Sequence, residues 1–168
     1  LLEEDLTTRG NDASTLTPPT LAEFREMKFP KAKKLIGPIK SGQIVLIAAP
    51  PGVGKTQLAV GVSHALATGQ SWARWSAPER RRVLYLDGEM AGSQLNERFE
   101  LYDQKGDANI TVVNVVNWLA PKGKSHLNLA NTEWQDCVNT WAEGHDLIIV
   151  DNIMSLVSMP NTSMLSDE

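Results

Sequence analysis

The sequence predicts an α/β fold of three layers, with helices on both faces of a mostly parallel sheet. Two observations predict it. The run Ile44, Val45, Leu46, Ile47 and Ala48 is continuously apolar, the pattern of a strand buried on both faces. Further strand-like runs then alternate with segments whose apolar residues repeat at helical spacing, which requires crossover connections. With 168 residues, 42% of them apolar, there is material for one core and one domain.

Residues 1–19 are polar, carry Pro18 and Pro19 and show no apolar period, so they read as a linker or tail. The domain is expected over residues 20–168. Thr20 and Glu23 stand at capping-box spacing, and Leu21, Phe24 and Met27 suggest a short helix that ends before Pro30. Ser41 and Gly42 supply a turn before the run at 44–48. Leu58, Ala59, Val62, Ala65 and Leu66 share one helical face, and Gly69 closes that helix. Val83–Asp87 is the second strand, and Leu95, Phe99 and Tyr102 mark the helix behind it. Residues 110–116 are β-branched and form the third strand. Thr132 and Gln135 suggest a second capping box, with Trp134, Val138 and Trp141 as the buried face. Leu147–Asp151 is the fourth strand.

Between the first strand and its helix lies Ala49-Pro50-Pro51-Gly52-Val53-Gly54-Lys55-Thr56, a P-loop in the context such a loop requires. Gly52 and Gly54 let the backbone curl so that successive N–H groups point inward, and the helix N-terminus adds partial positive charge. Pro51, Gly52, Val53, Gly54, Lys55, Thr56 and Gln57 are therefore the expected nucleotide-binding residues. The Lys55 ammonium reaches the β- and γ-phosphates, and the Thr56 hydroxyl is a ligand for Mg²⁺. Ala49 stands where the pattern usually has its first glycine. Leu147–Asp151 has the form of the partner motif, four apolar residues ending in an acid, so Asp151 is expected to hold Mg²⁺ through water.

A general base must orient the attacking water. Asn152 follows Asp151, and an amide cannot take a proton. Glu89, which ends the second strand in Tyr85-Leu86-Asp87-Gly88-Glu89-Met90, projects from the same sheet edge as the P-loop and is the expected catalytic carboxylate, with Asp87 as competitor or support.

A P-loop, a glutamate on the next strand and an acid without a following glutamate resemble the RecA-like P-loop ATPases. The resemblance is nearest to hexameric plasmid-replication helicases of the RepA type and to DnaB-type and primase-helicase domains. It covers about residues 24–157. It rests on Phe29-Pro30, Gly37-Pro38, the P-loop, residues 83–90 running into Gln94, Leu95 and Arg98, and residues 147–152. The same likeness puts the chain among AAA-type domains. It implies a Mg²⁺-dependent ATPase with Lys55 and Glu89 catalytic and Thr56 and Asp151 at the metal, driving a DNA helicase or translocase as a hexameric ring. It places Arg98 either near the nucleotide or on an exposed helix face. In such folds a later strand lies between the two motif strands, so a chain truncated after the acid-ended strand is expected to expose a sheet edge. Two rivals remain: a regulatory ATPase switching protein contacts, and a small-molecule kinase.

Sixteen basic against 20 acidic residues give a charge of −4, which excludes a global basic field for nucleic acid. Arg80, Arg81 and Arg82 read as a solvated loop. Trp72 and Trp75 read as a small cluster beneath that loop, and Trp118 as a packed strand end. Cys137, the single cysteine, reads as core and fits a reducing cytoplasm. His64, His126 and His145 have no zinc-ligand spacing. No apolar run reaches the ~20 residues of a membrane span. Met154, Met159 and Met164 fall in a Ser-, Asn- and Pro-containing loop.

Overall fold

The computed structural model describes residues 17–123 and 127–157. His126, Met159 and Met164 lie outside them, as does most of the expected tail. The chain divides into two units at Lys31 and Ala32. In the first, α1 (Leu21–Glu26) begins at the expected capping box, where the Thr20 side chain accepts from the Glu23 amide and Glu23 accepts in return from the Thr20 backbone. The bonds that its carboxylate accepts from the Thr20 backbone amide and hydroxyl hold Glu23 below its ordinary range. Phe24 packs on Phe29.

The second unit opens with a hairpin of β1 (Lys34–Ile36) and β2 (Ile39–Lys40). After the P-loop comes α2 (Lys55–Thr68), capped by Gly69 as expected. Trp72 and Trp75 are not in a loop; they pair across a second hairpin, β3 (Ser71–Trp72) with β4 (Trp75–Ser76), and both pack on a core of Leu35, Ile36, Val62 and Leu66. The main sheet follows with β5 (Val83–Asp87), β6 (Ile110–Asn114) and β7 (Leu147–Asp151), in the order β6-β5-β7 and parallel throughout. The helices α3 (Gly92–Glu100) and α4 (Thr132–Ala142) are the crossover partners.

Strand alternation sorts the core into layers. Every residue of β5 is buried. Its Tyr85 packs with Val60 of α2 and Leu95 of α3 on one face. Leu84 and Leu86 pack on the other, where Trp134, Val138 and Trp141 of α4 close over them. Helices on both faces of a parallel sheet make the fold a mixed α/β domain of the kind the sequence predicts.

Four local readings are corrected. The run 44–48 forms no strand. A strand exists only through a hydrogen-bonded neighbour, and among the described residues β7 pairs with β5 alone. Ile44 and Leu46 are consequently 102% and 80% exposed, across an apolar cavity of about 560 Å³ from Ile148 and Val150 on the free edge of β7. The third strand ends at Asn114, because the Asn114 side chain accepts from the Asn117 amide and starts a turn of π-helix, Val115–Leu119. Trp118 therefore lies beyond the strand, edge-on to Trp141. Asn131, not Thr132, caps α4, accepting from the Glu133 amide, while Gln135 donates to the Leu129 carbonyl. Arg81 is not simply solvated: it pairs with Glu79 and Asp146. Cys137 is partly buried. Among the described residues no helix is long and apolar enough to cross a membrane.

Candidate nucleotide site

Gly52 and Gly54 adopt φ of 81° and 94°, which side chains with a Cβ rarely take. Their left-handed turns bend the loop back so that α2 starts at Lys55 with Gly54 as its cap, and Gly54 receives the first helical bond from Leu58. Pro51, Gly52, Val53 and Gly54 are exposed. The helix has no acidic residue in its first turn, so nothing there opposes an anion. The Lys55 ammonium donates to the carbonyls of Ala49 at 2.8 Å and Pro50 at 3.0 Å, folding along its own loop. The Gln57 side chain turns away from the loop and donates to the Tyr102 hydroxyl at 2.8 Å, leaving its main chain in the first turn of α2.

A polar cavity of about 220 Å³ brings together Thr56, Asp87, Glu89, Met90, Gln94 and Asp151. Parallel register explains the gathering. Asp87 and Asp151 are paired positions at the carboxyl ends of β5 and β7, so both side chains leave the sheet on one face at the edge where α2 begins. Glu89 stands two residues past the end of β5 and is exposed, and its carboxylate accepts from the Asn152 side-chain amide. Asn152 also accepts from the Ser155 amide, which fixes the turn after β7.

Asp87 is 2% exposed. Its carboxylate accepts from the Asn114 amide at 2.6 Å and the Met90 amide at 3.2 Å. Burial nevertheless raises its pKa to about 6, with the charges of Asp151 and Glu89 adding to the rise. Asp87 is thus tied to Met90 of the β5–α3 loop and to Asn114 at the end of β6. Tyr85 donates to Asp151 at 2.7 Å. Arg98, partly buried in the last turn of α3, is near enough to Tyr85 for its charge to act on the phenol.

The sequence reading missed Tyr85, Asn114 and the hold of Asn152 on Glu89. A signal for the first was present, since Tyr85 shares strand parity with Asp87. The contacts of the other two depend on chain segments far apart in sequence.

The side-chain oxygens around the small cavity come from a hydroxyl, three carboxylates and the Gln94 amide, hard ligands suited to Mg²⁺. Among the described residues no three His, Cys, Asp or Glu side chains gather as a metal cage. An ion that keeps its waters and shares its shell with phosphate needs no such cage.

No curated protein matches the chain. The family model described as AAA domain matches residues 11–167. With a P-loop leading into α2 and acids gathered at the carboxyl edge of a parallel sheet, the chain belongs to this AAA domain family of P-loop, nucleotide-dependent ATPases.

Proposed function

We propose that the chain binds ATP with Mg²⁺ and hydrolyses it, as the engine of a ring-shaped DNA helicase or translocase in replication or repair. The observation that carries the ATPase roles is the convergence of Thr56, Glu89 and Asp151 on one cavity at the start of α2. The amides of residues 51–57 bind the phosphates, and Lys55 exchanges its loop carbonyls for the β- and γ-phosphate oxygens. Thr56 and Asp151 would hold Mg²⁺, which when bound supplies charge neutralisation to the phosphates. Glu89 orients a water in line with the γ-phosphorus. As the water oxygen attacks, its proton passes to the Glu89 carboxylate, and the bond to the β-phosphate oxygen breaks to release ADP and phosphate.

The motor assignment is supported by the resemblance to RecA-like helicases on Asp87-Gly88-Glu89-Met90 and on Asn152 after Asp151. The same resemblance supports a hexameric ring, and a lone, unbridged cysteine fits the cytoplasm. The test is ATP turnover with and without DNA. Stimulation by DNA is the expected result. Turnover indifferent to DNA favours a protein-directed switch, and phosphate transfer to a metabolite instead of water identifies a kinase.

A further inference from the structure

We propose that Tyr85 is the positioning residue of the metal site, holding the Asp151 carboxylate in the orientation that meets Mg²⁺. This inference rests on the Mg-ATP reading above and assigns a role to a residue outside the P-loop and the acid-ended run 147–151.

The geometry is a diagonal across two parallel strands. Tyr85 pairs in register with Ile149, two residues short of Asp151 on β7. Residues two apart on a strand share a face, and two residues span about 6.6 Å along it, roughly the reach of a phenol. Tyr85 therefore extends along the sheet toward its carboxyl edge, and its hydroxyl ends 2.7 Å from Asp151 Oδ2. A shorter side chain at position 85 would not arrive, and phenylalanine would arrive without a donor.

The phenol is rigidly placed. Tyr85 is fully buried, with Val60 and Leu95 around it and Phe99 edge-on at 5.4 Å. Asp151 is only partly buried, at a strand end where its carboxylate would otherwise rotate freely. A phenol keeps its proton at neutral pH, so its hydroxyl serves as the donor to the Asp151 carboxylate. A donor bond to an ionised acceptor is strong and directional. It engages one carboxylate oxygen from inside the core, so a ligand entering from the cavity meets the other.

Tyr85→Phe removes the donor and keeps the ring. The experiment is calorimetry of a non-hydrolysable ATP analogue on the full chain, in EDTA and over a Mg²⁺ series. For Tyr85→Phe, the expected result is unchanged affinity in EDTA with a roughly tenfold smaller gain from Mg²⁺. An undiminished Mg²⁺ gain overturns the proposal. So does an equal loss of affinity in EDTA, which would mean a purely structural role. The Asp151→Asn and Tyr85→Phe/Asp151→Asn variants supply a second measurement. The hydroxyl acts through Asp151, so the double variant should lose no more of the Mg²⁺ gain than Asp151→Asn alone, and additive losses overturn the proposal. If the unsubstituted chain binds no nucleotide, the functional reading fails and this inference fails with it; binding without the Tyr85 effect overturns this inference alone.

Discussion

The side-chain amide of Asn152 donates to the carboxylate of Glu89, so the turn after β7 grips the acid that follows β5. Where many ATPases carry a glutamate beside the metal-binding aspartate, this chain carries an amide, and that amide holds the carboxylate we propose as the base. In the proposed mechanism two adjacent positions would thereby serve different steps, Asp151 at the metal and Asn152 steadying the base.

That division predicts a separation of binding from turnover. Glu89→Gln should keep Mg-ATP affinity within about twofold and lower turnover by roughly 10²-fold or more. Asn152→Ala should also leave affinity unchanged and lower turnover by about tenfold, through loss of orientation. Calorimetry beside steady-state phosphate release checks both, and normal turnover by Glu89→Gln would exclude it as the base.

Lys55→Ala should act in the opposite sense. Its two bonds to the loop carbonyls lie at the surface, so their loss should cost no more than about 1 kcal/mol of stability. Nucleotide affinity should fall at least tenfold as the ammonium is lost. Thermal unfolding and nucleotide titration separate these effects.

Gly88, just past the end of β5, lies against the turn that follows β7. A Cβ there would stand 2.6 Å from Leu156 Cδ2 and Ser155 Oγ, both in the turn anchored by Asn152. Gly88→Ala should therefore destabilise the chain by about 1–3 kcal/mol, as overpacking does, and displace the turn that holds Glu89. Denaturant unfolding reads the first effect and turnover the second.

Asp87 gives a pH signature. Its pKa is raised from 3.8 to about 6 in the folded chain, chiefly by burial. The folded state therefore keeps a proton that the unfolded state has already released between those values. The contribution of this group to stability is full below the ordinary aspartate value and is lost as pH rises through about 6. Asp87→Asn abolishes that slope. Relative to the unsubstituted chain, the variant should gain on the order of 2 kcal/mol between pH 4 and pH 8, measured by urea unfolding at both. A pH-independent difference would show that Asp87 does not titrate in this range.

Much of the domain was legible along the chain, because each signal was local. A glycine pair beside a lysine and a threonine specifies a loop and a helix start through backbone conformation alone, and α2 begins where that pattern puts it. The position of β5 and the apolar face of α4 followed from local pattern in the same way. The run at 44–48 shows the limit. Its composition states a preference for burial, but pairing belongs to two segments at once, and the described residues supply no neighbour for it. The phenol of Tyr85 on Asp151, the Asn114 amide on Asp87 and the hold of Asn152 on Glu89 are likewise set by parallel register and crossover packing. The sequence by itself determined which residues are proposed for phosphate chemistry, since that choice depends on residue type and short spacing. Tertiary structure decided how the carboxylates are held, since orientation and charge depend on groups that only folding brings within hydrogen-bond reach.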